Sequence, residues 1–164
     1  MFTLRCTRRL LVRLGPPTLD EVAPTTLLGD WYANLCFRPG GQVVLFVNER
    51  SLLPVLVPAA PAARLATRFQ AAAADMLLRL GVPAPVVDLE RREMEQVRIG
   101  RTASRQVLGS MTDFAYLMES YRLDPIALDD LALKLAQAPC GPIGMKRPAE
   151  VVLELVTCTA ARTR

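Results

Sequence analysis

Three apolar stretches lie close together in the first third of the chain and predict an antiparallel meander. They occupy residues near 31–37, 42–48 and 51–57. Turn signals separate them, with Arg-Pro-Gly-Gly at 38–41 and Asn-Glu-Arg at 48–50. The Pro-Gly-Gly corner supplies one fixed φ and two residues that tolerate positive φ, which suits a tight reversal. We therefore expect the rest of the fold to pack around these strands.

The middle strand is apolar on both faces. Its odd positions, from Val43 to Val47, point to one side of the sheet, and Val44 and Phe46 point to the other. This pattern indicates a strand that is covered on both sides. In the third strand, Pro54 has no backbone N–H group to donate, which indicates an edge position or a bulge.

Hydrophobic spacing elsewhere predicts two further strands and six helices. The strands lie near residues 2–6 and 95–100. The helices lie near residues 8–14, 61–80, 84–94, 104–121, 125–137 and 148–156. The last segment could equally be a strand, because residues 151–156 are mostly apolar. The sequence thus predicts an α+β fold with a central, mainly antiparallel sheet of about five strands, a single domain over 1–156 and a frayed tail over 157–164.

Several helix boundaries and faces follow from single residues. Thr7 and Ser104 are expected to cap the first and fourth helices with their hydroxyl groups. Asp124, followed by proline, is expected to begin the fifth helix. In the third helix, Leu89 is expected to face inward, whereas the charged run that begins at Glu90 is expected to face solvent.

The composition is that of a globular protein. Of the 164 residues, 51% are hydrophobic and 22% are charged. No apolar run reaches the roughly 18 residues that a membrane-spanning helix needs. Charged residues interrupt the apolar amino-terminal stretch, which is unlike a secretory signal, so we expect a cytoplasmic protein without membrane contact.

The chain contains no histidine, and this absence excludes several kinds of site. It removes Ser-His-Asp and Cys-His catalysis, histidine metal ligands and histidine proton switches. The four cysteines form no Cys-x-x-Cys pair and are expected to be reduced and mostly buried thiols. We predict neither a metal site nor a cofactor.

The net charge of +4 is carried almost wholly by arginine. A positive excess of this size permits contact with nucleic acid or with an acidic partner. The enrichment in arginine, alanine and proline also fits a GC-rich genome, so the charge alone does not select a partner.

Four pieces of the sequence together resemble a known family. They are Leu-Arg-Cys-Thr-Arg-Arg-Leu-Leu at 4–11, Trp-Tyr-Ala-Asn-Leu at 31–35, Leu-Phe-Val-Asn at 45–48 and the fourteen residues Arg-Thr-Ala-Ser-Arg-Gln-Val-Leu-Gly-Ser-Met-Thr-Asp-Phe at 101–114. They resemble short bacterial proteins known only as a domain of unknown function, over roughly residues 1–122. The resemblance implies a small α+β domain in a prokaryote and implies no activity. The family often has histidine where this chain has Tyr32, so a role for that histidine does not carry over.

Seven polar residues are candidates for a ligand site: Asn34, Asn48, Arg101, Thr102, Ser104, Arg105 and Asp113. An asparagine inside an apolar strand is disfavoured unless its amide makes specific bonds, which can be those of a turn or those of a ligand. The corner at 101–105 precedes a helix, where backbone N–H groups and the helix dipole attract anions. The simpler explanation, which the sequence favours, is capping by these side chains with surface arginines and an ion pair of Asp113 with Arg101 or Arg105. The adjacent acids at 20–21 and 129–130 are explained by capping and dipole effects rather than by catalysis.

The sequence favours a non-enzymatic binding or interaction module, whose partner is another protein or a second copy of the chain in a homodimer. One alternative is a site for a small anion or nucleotide ligand, or an enzyme, built from the seven candidate residues. Neither glycine-rich nucleotide loop motif is present. A second alternative is weak binding of nucleic acid through arginines, with an affinity that falls steeply with salt.

Overall fold

The computed structural model describes residues 1–18 and 22–162, with side chains up to residue 159. Within these ranges the chain forms a five-stranded sheet with the strand order β4-β3-β2-β1-β5. The strands are β1 (Phe2–Cys6), β2 (Trp31–Arg38), β3 (Gly41–Asn48), β4 (Pro54–Pro58) and β5 (Val97–Arg101). Strands β2, β3 and β4 pair antiparallel, whereas β1 pairs parallel with both β2 and β5. The sheet is therefore mixed, and the predicted α+β fold is confirmed.

The predicted meander is present, but its third strand begins later than expected. Strand β4 begins at Pro54 rather than near residue 51, because the chain first turns through Leu52 with φ 58°. As the proline predicted, β4 lies at one edge of the sheet. Strand β3 lies between two neighbours, and its residues from Val43 to Asn48 are buried.

The helices are α1 (Arg8–Leu14), α2 (Leu65–Arg79), α3 (Ala84–Glu93), α4 (Arg105–Ser120), α5 (Leu128–Ala136) and α6 (Pro148–Arg162), with short 3-10 helices at Ala62–Arg64 and Gly141–Ile143. The carboxyl-terminal segment is thus a helix rather than a strand. Residues 157–162 continue α6, and fraying of this end stays a prediction. None of the described helices combines the length and the apolar character needed to cross a lipid bilayer.

The prediction that Asp124 begins the fifth helix is wrong. Asp124 does not cap α5, since the N–H group of Ile126 donates to the Asp124 carbonyl in a separate turn and Ala127 occupies the N-cap position. The helix therefore begins at Leu128, three residues later than predicted.

The prediction of which side chains of α3 are buried is also wrong. Glu90 is only 3% exposed, whereas Leu89 is 58% exposed. The Glu90 carboxylate accepts hydrogen bonds from the backbone N–H groups of Leu27 and Leu28, at 2.6 and 3.0 Å. A buried carboxylate thus replaces an apolar contact where α3 meets the loop before β2, and periodicity alone could not show this.

The two faces of the sheet are covered by different helices. On the first, the Phe69 ring of α2 contacts the rings of Phe2, Trp31 and Phe46, at centroid distances of 5.9, 5.0 and 4.1 Å. We call this side the Phe69 face. The opposite side, the α4 face, packs against α4 over β2 and β3 and against α5 over β4. The buried apolar side chains form one hydrophobic core across both layers.

Candidate ligand-binding site

The carboxyl ends of β1 and β5 meet at one place because these strands run parallel, whereas β2, the other parallel neighbour of β1, continues past them to Arg38. Cys6 of β1 pairs in register with Ala33 of β2 and with Arg101 of β5. The residues that come next in the sequence after Cys6, Ala33 and Arg101 are Thr7, Asn34 and Thr102. All three are polar.

The chain leaves β1 and β5 in different directions. Helix α1 contacts β1, β2 and the 3-10 helix before α2, and Arg9 of α1 lies 6.0 Å from the ring centre of Phe37, on the Phe69 face. Helix α4, which follows β5, packs on the other face. Two adjacent parallel strands with connections to opposite faces leave a crevice between them, and open α/β sheets bind ligands at such a position. We call this place the β1–β5 crevice.

Asn34 and Thr7 are bonded to each other at the crevice. The Thr7 hydroxyl donates to Asn34 Oδ1 at 3.0 Å, and the Thr7 backbone N–H donates to the Ala33 carbonyl. Thr7 occupies the N-cap position of α1 but makes no side-chain capping bond, contrary to the expectation from the sequence. Its hydroxyl instead positions the half-buried Asn34 side chain.

Tyr32 anchors the corner that leads into α4. Its buried phenol oxygen accepts a hydrogen bond from the Ser104 N–H at 3.0 Å and donates to Glu49 Oε1 at 3.5 Å. Burial raises the pKa of the Tyr32 phenol. Ser104 in turn accepts a bond from the Val107 N–H at 3.3 Å, which confirms it as the N-cap of α4.

A partly buried ion pair lies on the α4 face beside this corner. Arg5 Nη2 lies 3.1 Å from Asp30 Oδ2, and Asp30 Oδ1 accepts a bond from the Thr3 N–H at 2.9 Å. Arg5 Nη1 is 3.5 Å from the Arg101 carbonyl, which connects the pair to the end of β5. A Cβ atom at Gly100 would lie 2.6 Å from Thr3 Cγ2, so a larger residue there requires the Thr3 side chain to shift.

Asn48 lies away from the crevice and organises the turn between β3 and β4. Its Nδ2 donates to the carbonyls of Leu28 and Asp30, at 2.9 and 3.2 Å. Its Oδ1 accepts bonds from the Arg50 N–H, the Ser51 N–H and the Ser51 hydroxyl. The amide is fully buried, and its bonds are those of a turn.

The remaining candidates divide between two places. Arg101 and Arg105 are exposed and Thr102 is half-buried, and all three flank the crevice with Ser104. Asp113 is exposed two turns further along α4 and lines a separate cavity of about 70 Å³ beside Cys140. Burial, and then the Asp113 charge, raise the pKa of that thiol. The structure thus places Asn34 on β2 and the 101–105 corner after β5, with β1 between them, and it places Asn48 and Asp113 elsewhere.

Sequence reasoning missed Thr7, Arg5, Asp30 and Tyr32 as parts of this place. Arg5, Thr7 and Tyr32 lie in the sequence pieces that resemble the family, but those pieces assign no role, and only the parallel register of β1 with β2 brings the four residues together. The acidic pair at residues 20–21 lies outside the described residues. In the part of the chain that the structure describes, no group of three or more cysteine and carboxylate side chains is arranged to hold a metal ion.

Comparison with known protein families identifies one match. The sequence model of one family, described as a domain of unknown function (DUF6933), matches residues 3–151. The chain belongs to this family. The DUF6933 match begins in β1 and ends in α6, so it includes all five strands and the β1–β5 crevice. No curated protein and no solved structure matches the chain.

Proposed function

We propose that this DUF6933 protein is a non-enzymatic binding module that holds a small anionic ligand in the β1–β5 crevice. The observation that carries the proposal is the divergence of the chain after β1 and β5, toward α1 on one face and α4 on the other. This divergence marks the position at which open sheets bind ligands.

The charge at the crevice supports an anion. The sixteen-residue helix α4 begins just after the 101–104 segment, and the positive end of a helix dipole favours an anion near its first turn. The exposed side chains of Arg101 and Arg105 flank the same position and are free to form charge-assisted hydrogen bonds with a carboxylate or phosphate. Asn34, within β2, and Thr102, which follows β5, add half-buried polar groups.

The thiol and the phenol nearest the β1–β5 crevice are buried, which favours binding over catalysis. Cys6, at the end of β1, is buried, and burial raises the pKa of its thiol to about 12. A thiol of that pKa stays protonated near neutral pH and is a poor nucleophile. The Tyr32 phenol is buried and bonded to the corner before α4. The cysteines Cys6, Cys36, Cys140 and Cys158 are all free, which supports a reducing compartment such as the cytoplasm.

Titration of the protein with inorganic phosphate, followed by NMR of backbone amides, tests this function. We expect saturable shifts at residues 7–8 and 102–106. The double substitution Arg101→Gln and Arg105→Gln should weaken binding about tenfold or more, because two charge-assisted hydrogen bonds are lost. The matched control is Arg91→Gln with Arg92→Gln, two exposed arginines on α3.

Two results would reject the proposal. One is a titration that does not saturate at the crevice amides. The other is an equal loss of affinity in the control pair, which would mean that phosphate responds only to overall positive charge.

A further inference from the structure

A second cavity lies at the far end of the β2–β3 hairpin. It has a volume of about 500 Å³ and is bounded by the turn at residues 39–41 and by the α4–α5 connection at residues 122–126. It shares no residue with the β1–β5 crevice. Its volume is within the range of about 300–1,000 Å³ that is typical of small-molecule sites.

Arg38 lies at this cavity with one nitrogen unsatisfied. Its Nη2 donates to the Tyr121 carbonyl at 3.1 Å, which holds the guanidinium beneath the α4–α5 connection. Its Nη1 is buried and has no hydrogen-bond partner among the described residues. Buried polar nitrogens nearly always have a partner, and a charged donor left without one is costly. Arg38 also lines the cavity, so a rotation of its guanidinium would bring Nη1 to an acceptor there.

Arg122 brings a second guanidinium to the same cavity. It is 58% exposed, and its nearest carboxylate, that of Glu119, is 4.0 Å away. This separation is longer than a hydrogen bond, so Arg122 can turn to a ligand without losing a strong contact. Two guanidinium groups at one cavity suit a carboxylate or phosphate, which can accept several N–H bonds at once.

The remaining wall is largely apolar. Val43 and Pro58 supply it from the sheet, and Ile126 and Leu128 supply it from the start of α5. An inorganic anion would leave this wall in contact with water, whereas an aliphatic or aromatic group would cover it. Asp124 also lines the cavity and disfavours a ligand with a large negative charge.

We propose that this cavity binds an organic monoanion with an apolar body. The anionic head accepts hydrogen bonds from Arg38 and Arg122, and the body packs against Val43, Pro58 and Ile126. The inference is independent of the proposed function, because the two sites have no residue in common and call for different ligands.

Isothermal titration with octanoate tests the site, with acetate, octylamine and 1-octanol as partial probes. Octanoate is expected to bind about tenfold or more tightly than each of the others, since only octanoate has both the charge and the apolar body. Amide shifts in NMR should appear at Gly40 and Gly41 rather than at Ser104. This pattern separates the site from the crevice.

Two variants and a control accompany the titration. Arg38→Gln and Arg122→Gln should each weaken octanoate binding by about tenfold, and Arg91→Gln should leave it unchanged. Arg122 is exposed, so its variant stays informative even if Arg38→Gln lowers stability through the lost bond to Tyr121. Equal binding of octylamine and octanoate, or an affinity that neither arginine variant changes, would overturn the proposal.

Discussion

At the scale of single residues, Asn48 shows how a polar side chain can look functional in sequence and stabilise a turn in the fold. Its amide joins the β3–β4 turn to the loop before β2 through the carbonyls of Leu28 and Asp30. The sequence indicated that this amide needs specific bonds. It could not indicate which ones, because the partner carbonyls lie 18 and 20 residues earlier in the chain.

Replacement of Asn48 should therefore act on stability. We expect Asn48→Ala to lower the free energy of unfolding by about 3 kcal/mol, because buried N–H and carbonyl groups lose their partners. Asn34→Ala removes one bond at a half-buried site and should cost about 1 kcal/mol or less. Urea denaturation of both variants measures the difference. An equal cost for the two would contradict the structural role of Asn48.

At the scale of elements, α3 is joined to the loop before β2 by a carboxylate rather than by an apolar side chain. Burial raises the pKa of Glu90, although the N–H groups of Leu28 and Leu27 and the amino group of Met1 act in the opposite direction. The folded protein thus keeps the Glu90 proton to a higher pH than the unfolded chain does. We therefore expect the contribution of the contact between α3 and the loop to stability to depend on pH.

The sign of this effect can be measured. Because the folded-state pKa of Glu90 is raised, its contribution to stability is complete below the unfolded pKa of about 4.3 and is lost as pH rises through the folded pKa. Glu90→Gln should remove this fall from a plot of unfolding free energy against pH, whatever its effect on absolute stability. The exposed Glu95→Gln is the control. A Glu90→Gln variant with the same slope as the parent protein would refute the assignment.

At the scale of the whole molecule, Phe69 joins strands that belong to different parts of the sheet. Its ring contacts Phe2 of β1, Trp31 of β2 and Phe46 of β3. The parallel and the antiparallel parts of the sheet therefore share one layer of aromatic packing. This arrangement favours unfolding as one unit.

The substitution Phe69→Ala tests whether the protein unfolds as one unit. We expect a loss of about 3–5 kcal/mol, as for other buried phenylalanines, whereas Leu78→Ala on the exposed side of α2 should cost far less. Fluorescence of the single tryptophan, Trp31, and far-UV circular dichroism should report the same transition. Two separate transitions would show that the chain is not the single domain that its sequence predicts.

The sequence predicted the elements of this fold better than their arrangement. Alternation and turn residues are local, so the meander and the Ser104 cap could be recognised directly. The parallel pairing of β1 with β2 and β5 depends on contacts between distant segments, and no local pattern encodes it. The corner at 101–105 is a local feature, so the sequence alone identifies it as a candidate. The cavity at Arg38 depends on contacts between distant segments, so the sequence places Arg38 only in a turn.

The position of β1 has a consequence for synthesis of the chain. Phe2 pairs with Val97 and Cys6 pairs with Arg101, so one edge of β1 is completed only after β5 has been synthesised. While the ribosome adds the intervening residues, the meander can already form through short-range pairings, but β1 has its outer edge unpaired. The nascent protein is therefore expected to expose a sheet edge next to the β1–β5 crevice until β5 has been made.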